Sequence, residues 1–363
     1  MSRVRVAEDP PSLTLPRLRG REGWGLPRIA LRLDGTLPAQ TCLRLSQVAE
    51  ANDFSAVWLA ENPFARSALP AATACAIGTR RVQIGVGVIN PFTRHPSLIA
   101  MEWGGFDELS NGRAVLGIGA GIAAAVRRVG FSWERPLSAV CEAIQIVRVL
   151  LRNEEVSYRG EVFSVDRVRL DYRPPRPELP IYMAAVGERS LRAAAAIADG
   201  VIVSNMLAPG YTARAVRILR AASAAAGRKR PEIVHYVPCV VRPDRDEARR
   251  LIKPTLARLL AAFWALGEQR PLRRALMAEP SGISQAEFAA AIARLGDGEP
   301  AERVVGDHFV DAFAIAGTAD ECLARAAVYR QAGVDEVALN FVGGDPARDI
   351  EYLGSALTGR TTD

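Results

Sequence analysis

The sequence predicts a single (β/α)8 barrel, and three observations lead there. Short runs rich in Val, Ile and Leu alternate with longer segments patterned as helices, and the alternation recurs eight times. The runs are apolar on both faces, as parallel strands covered by helices must be. Eight such units favour closure into a cylinder over an open sheet.

Arg28 to Asp34 (RIALRLD) reads as the first strand, followed by a helix over Pro38 to Asn52. Ser55 to Ala60 is the second strand and Leu69 to Thr79 its helix; Val82 to Ile89 is the third, with a helix from Pro96 to Leu109. Ala114 to Gly119 is the fourth, with a helix over Leu137 to Leu151. Leu179 to Ala184, Gly200 to Ser204, Val234 to Val241 and Glu336 to Phe341 complete the eight. Two segments break the rhythm. Glu154 to Tyr172 alternates at period two around a turn at Arg159-Gly160, which predicts a hairpin insertion after the fourth helix. Glu268 to Gly317, between the seventh and eighth strands, reads as a helical insertion and a candidate lid or pocket wall.

Composition bounds the function. The chain has 363 residues, 49% hydrophobic and 24% charged, an ordinary globular balance. Residues 1–27, rich in Arg and Pro, read as a flexible extension without the apolar run of a secretory signal, and 28–363 as one domain. No run approaches the ~18 apolar residues of a membrane span, so no membrane partner and a cytoplasmic location are expected. The net charge of +6 is carried by arginines interleaved with acids, with Lys229 and Lys253 the only lysines. That dispersion argues against nucleic acid and leaves a phosphate-bearing small molecule open. Five scattered cysteines and three histidines offer no metal spacing.

A barrel puts its chemistry at the C-terminal ends of its strands. The third strand ends Gly85-Val86-Gly87-Val88-Ile89-Asn90-Pro91, where two glycines in a strand mark either helix packing or a close ligand. The fourth runs into Gly117-Ile118-Gly119-Ala120-Gly121, which lacks the third glycine of a dinucleotide fingerprint and suits a flat ring lying on bare backbone. After the fifth, Val186-Gly187-Glu188-Arg189-Ser190 leads into a helix over Leu191 to Ala198; this is either a phosphate cradle or a plain Ser190 cap. Glu61-Asn62 closes the second strand, and Glu61 reads either as a functional carboxylate or as a loop acid. On the first strand Ala30, Arg32 and Asp34 share a face. If that face is the interior, Arg32 needs a carboxylate, with Asp34 or Glu61 the nearest. His95 starts a helix and reads as structural or as a phosphate ligand.

Taken together, NPFTRHP (Asn90 to Pro96), DELSNGRAVLGIGAG (Asp107 to Gly121), GFSWERPLSAVCEAIQIVRVLL (Gly130 to Leu151), LPIYMAAVGERSLRAAAAIADGVIVSN (Leu179 to Asn205) and FAIAGTADECLARAAVYRQAGVDEVAL (Phe313 to Leu339) resemble the bacterial luciferase-like superfamily. The match is closest to its methylenetetrahydromethanopterin reductase branch, which uses the deazaflavin coenzyme F-420. The resemblance implies a non-prolyl cis peptide at Gly87-Val88 backing the coenzyme ring, Gly119 and Gly121 lining that ring, and Val186 to Ser190 holding the phosphate. Asn62, Asn90 and His95 complete the coenzyme set, and a homodimer is implied. The implied reaction is hydride transfer from F-420 to the methylene carbon of a C1-carrying tetrahydropterin.

Three departures bear on the chemistry. Arg32 stands where the branch carries a catalytic glutamate, and a guanidinium cannot deliver that proton. Glu61-Asn62 stands for an acidic-histidine pair, and Ile122 for an acid after the glycine run. The expected activity is therefore F-420-dependent hydride transfer to a C1-pterin or another planar substrate, with Glu61 or Asp34 replacing the missing acid. The alternatives are a monooxygenase using flavin mononucleotide (FMN), and a non-catalytic coenzyme- or pterin-binding or assembly protein that has lost the acid.

Overall fold

The apolar strands close on themselves. In a computed structural model that describes residues 25–268 and 271–359, the strands are β1 (Arg28–Leu33), β2 (Ala56–Leu59), β3 (Gln83–Ile89), β4 (Ala114–Ile118), β5 (Val156–Arg159), β6 (Ser164–Val168), β7 (Ile181–Ala184), β8 (Gly200–Val203), β9 (Glu232–Val241), β10 (Ile315–Gly317) and β11 (Glu336–Phe341). The ring runs β1-β2-β3-β4-β7-β8-β9-β11 and returns to β1, every pairing parallel. This is the expected eight-stranded (β/α)8 barrel.

The interior is filled by side chains. Trp58, Tyr182 and Tyr236 meet inside, with ring centroids 5.6 and 6.1 Å from that of Trp58. They are flanked by Ala30, Ala56, Val115, Ile202, Val234 and Ala338. Large rings fit because opposing positions are small: a Cβ on Gly85 would lie 2.5 Å from Trp58, and one on Gly200 2.4 Å from Tyr182. Helix packing therefore does not explain Gly85; an inward ring does. At the N-terminal end, Glu336 accepts from Trp58 Nε1 at 2.7 Å, Ser55 Oγ at 2.9 Å and Arg28 Nε at 3.3 Å. This buried polar cluster closes the N-terminal end, and the opposite end is left for chemistry.

Both insertions are present. β5 and β6 form the antiparallel hairpin, but its connection is four residues, Gly160 to Phe163, not the tight turn expected at Arg159-Gly160. Glu142, on the preceding helix Pro136–Leu151, accepts from the backbone N–H groups of Glu161, Val162 and Phe163 and so holds the wider loop. The second insertion carries helices Pro271–Ala278, Gln285–Gly296 and Asp307–Phe313 around its own apolar cluster. Trp264 stacks on Phe288 there at 5.1 Å. Met206 and Ala208, which follow β8, belong to the same cluster, so the insertion leans on the C-terminal side of the barrel.

Several boundaries differ from expectation. The helix expected from Leu191 begins at Glu188, with Gly187 as its cap residue. The strand expected from Leu179 begins at Ile181, because Pro180 has no N–H for the ladder. The strand expected from Val234 begins two residues earlier, at Glu232, which is held by Arg28 and Tyr182. A short helix, Ala123–Arg128, and the strand β10, which pairs with the end of β9, were not anticipated. Of the expected extension, residues 1–24 lie outside the described residues.

Candidate active site at the C-terminal mouth of the barrel

Glycine shapes one wall of the mouth. The Gly87-Val88 peptide is cis, as the resemblance implied, and the β3–β4 register slips between Val86 and Ile89. Gly87 lies over the barrel interior, where a Cβ would fall 2.0 Å from the Tyr236 hydroxyl. Gly119 is buried beneath Val88 and Ala184, so its bare Cα admits the Val88 side chain to the wall. Gly121 is exposed, has φ +67°, and its missing Cβ would lie 2.5 Å from Asn90 Nδ2. Asn90 is itself pinned, its Oδ1 accepting from Phe92 N at 2.8 Å. Trp133 donates to Ala120 O at 2.7 Å and fixes the glycine run from outside.

The β7 end supplies an open helix terminus. Gly187 caps the helix Glu188–Ile197 with no side chain on its free N–H groups, and a Cβ at Gly187 would meet only Ser190 Oγ at 3.9 Å. Ser190 is not a cap: its hydroxyl donates backwards to Gly187 O at 2.7 Å. Tyr211 donates to Val186 O at 2.7 Å and holds the approach to the turn. Unobstructed N–H groups at a helix start form a site for a phosphate. A wall that glycines let pack close, beside an uncapped helix start, suits a flat ring with a phosphate tail.

The opposite side is polar. Asn62 donates to both carboxylate oxygens of Asp34, at 3.2 and 3.1 Å, and Thr36 N donates to Oδ1 at 3.0 Å. Against partial burial, these hydrogen bonds and the nearby Arg32 charge hold the Asp34 carboxyl below its ordinary range. Asp34 is therefore an anion at neutral pH. Glu61 Oε2 accepts from Ala68 N at 2.5 Å at the start of the helix Ala68–Gly78, and its Oε1 lies 3.8 Å from Arg94. Arg94 also reaches Glu102 at 3.3 Å, and burial raises the Glu102 carboxyl. His95 caps the helix Pro96–Leu109 through Ser97 N and turns its ring edge to Phe163 of the hairpin. Burial lowers its pKa, which favours the neutral ring.

Arg32 does point into the barrel, but the expected carboxylate partner is absent among the described residues. Its guanidinium lies 5.1 Å from the centroid of the Tyr236 ring instead, and its buried Nε has no hydrogen bond. A nearby aromatic face takes the place of an ion pair because Asp34 is already engaged with Asn62 and Thr36.

The structure thus brings Asp34 and Asn62 into contact, and Gly87, Val88 and Gly119 into one wall with Gly121 and Asn90 beside it. Val186, Gly187 and Ser190 form a separate cradle, and His95 sits apart on the hairpin side. Residues not anticipated from sequence include Arg94, Glu102, Tyr236 with its buried unpartnered hydroxyl, and Asn205 with a buried unpartnered Oδ1. Asn205 carried a signal, a polar residue two positions past the end of the apolar β8. Around the rim, Phe64, Ile122, Val129 and Phe131 are exposed, and the Arg128 guanidinium lies 4.4 Å from the Phe64 ring centroid.

Comparison with known proteins places the chain. The family model described as luciferase-like monooxygenase matches residues 26–336. The 5,10-methylenetetrahydromethanopterin reductase of Archaeoglobus fulgidus is 33% identical over 315 residues, 86% of this chain and 92% of that protein. The F-420-dependent glucose-6-phosphate dehydrogenase of Nakamurella multipartita is 26% identical over 329 residues, 87% of this chain and 91% of that protein. The structure of the coenzyme F-420-dependent tetrahydromethanopterin reductase of Methanopyrus kandleri superposes with a TM-score of 0.80 at 24% identity, covering 91% of this chain and 97% of that one.

Proposed function

From its membership of the luciferase-like monooxygenase family, to which the chain belongs, we propose that this protein is an oxidoreductase that transfers a hydride between coenzyme F-420 and a planar substrate of the C1-pterin class. The observation that carries the reading is the glycine-walled mouth, with the β3 bulge between Val86 and Ile89 and an uncapped helix start at Gly187, in a chain whose relatives include F-420-dependent reductases and dehydrogenases.

In this reading Val88, Gly119 and Gly121 back the ring, while Val186, Gly187 and Ser190 hold the phosphate. When bound, the coenzyme supplies the hydride. The chain's own part is to stack two flat molecules, exclude water and handle one proton. The exposed apolar rim of Phe64, Ile122 and Phe131 suits a flat substrate edge. Asp34, held anionic, cannot give a proton at neutral pH; it orients Asn62 toward the mouth. Glu61 is the carboxylate we assign to the proton transfer, through Oε1, since Oε2 serves the helix start. The helical insertion beside β8 is the wall that selects the substrate.

Titrating the purified chain with F-420 and with FMN, then adding methylene-tetrahydropterin, tests this. Tight F-420 binding followed by hydride transfer is the expected result. FMN binding with oxygen consumption would instead favour the monooxygenase reading that the family description suggests, and F-420 binding without turnover would favour a binding protein.

A further inference from the structure

The inner rim holds a cation with no counter-ion. Arg32 sits at the C-terminal end of β1, only partly exposed, and among the described residues no carboxylate lies within ion-pair distance of it. Asp34 senses its charge but is held by Asn62 and Thr36. The floor beneath Arg32 is the Tyr236 ring, 5% exposed, whose hydroxyl also lacks a partner. Register places a further polar group alongside. Ala30 pairs with Ala338 across β1 and β11, so two residues on, Asn340 stands beside Arg32 on the same inward face. Asn340 is half-buried.

A partly buried guanidinium without a partner is costly unless something supplies the negative charge. The coenzyme phosphate cannot do so. In the eight-membered ring β1-β2-β3-β4-β7-β8-β9-β11, β7 lies directly across from β1, so a phosphate at Gly187 is held on the far wall.

We propose that Arg32, above Tyr236 and beside Asn340, binds an oxyanion of the substrate, a carboxylate or a phosphate, and that the preferred substrate is therefore anionic. This rests on the reading of the mouth as a coenzyme-and-substrate site. The planar fork of an arginine suits either oxyanion with two parallel hydrogen bonds, and the aromatic face beneath keeps it level.

The test uses the full chain without coenzyme. Inorganic phosphate and oxalate are titrated separately at constant ionic strength, followed by calorimetry and thermal midpoint, on the wild type, Arg32→Gln and Arg32→Lys. The expected result is saturable binding by the wild type, weakened at least ~10-fold in Arg32→Gln and partly restored in Arg32→Lys. The anion that binds more tightly identifies the oxyanion class. The ligand-free midpoint of Arg32→Gln should equal or exceed that of the wild type, since an unpaired charge is removed. Equal anion binding by wild type and Arg32→Gln, absence of saturable binding by the wild type, or a lowered ligand-free midpoint in Arg32→Gln would each overturn the proposal. A parallel F-420 titration separates the two readings: Arg32→Gln should bind F-420 within ~3-fold of wild type, and failure of the wild type to bind F-420 strikes the coenzyme reading alone.

Discussion

The amide of Asn62 spans both carboxylate oxygens of Asp34, at 3.2 and 3.1 Å. The contact ties the end of β2 to the end of β1 and favours the charged carboxyl. In Asn62→Ala the Asp34 pKa should therefore rise toward its ordinary value, and the chain should lose about 1 kcal/mol, less than a fully buried charged hydrogen bond because the site is half exposed. Carboxyl-detected NMR titration of Asp34 reads the first effect. An unmoved pKa would show that Thr36 and Arg32 alone set it.

Glu61 is bound at one oxygen and faces Arg94 with the other. Glutamine keeps an oxygen for Ala68 N, so Glu61→Gln should fold with a thermal midpoint close to wild type. Turnover should fall about 100-fold, as expected when a general acid is removed, while F-420 affinity stays unchanged. Full turnover in that variant would remove Glu61 from the chemistry.

Much of the architecture was legible in the sequence because parallel strands buried on both faces leave long apolar runs that few other arrangements produce. The glycine runs at the ends of the third and fourth strands were readable as bare backbone for a flat ring, whereas the cis bond at Gly87-Val88 came with the resemblance, since nothing in local propensity signals it. What escaped was what depends on partners distant in the chain. Nothing near Glu142 reveals that it holds a turn 19 to 21 residues on. Arg32 was placed correctly inside the barrel by alternation, yet its neighbour Tyr236 lies two strands away around the ring, and sequence reasoning supplied a nearby acid instead. The start of the helix at Glu188 was missed because Gly187 caps it without a side chain, leaving no Ser, Thr, Asp or Asn signal.

Two glycines of the mouth should respond differently to a methyl group. Gly121 has φ +67° and a Cβ position 2.5 Å from Asn90 Nδ2; Gly121→Ala should destabilise the chain by about 1–2 kcal/mol and displace Asn90. Gly187 has φ −82° and open space around it. Gly187→Ala should keep wild-type stability yet weaken F-420 binding about 10-fold if its methyl intrudes on a phosphate held by the helix start. Denaturant midpoints and coenzyme titration separate the two. Undiminished coenzyme binding by Gly187→Ala would move the phosphate elsewhere.

His235 on β9 should dominate the acid side of the stability curve. It is 1% exposed, its Nδ1 lies 3.0 Å from Thr212 Oγ1, and its ring meets Tyr329 edge-on at 4.9 Å. Burial pushes its pKa down from 6.5 to about 3. In the unfolded chain the ring takes up a proton below pH 6.5, while the folded ring resists until about 3, so across that window the unfolded state binds more protons. Stability must then fall as pH falls, by about 1.4 kcal/mol per pH unit from this one group. Other carboxylates add their own acid losses mainly below pH 5, so the informative quantity is the difference between wild type and His235→Gln in urea midpoints from pH 7 to 4. That difference should shrink steadily below pH 6.5, because the variant has no imidazole to protonate on unfolding. Curves that stay parallel would mean that the imidazole is reached by solvent and protons in the folded barrel.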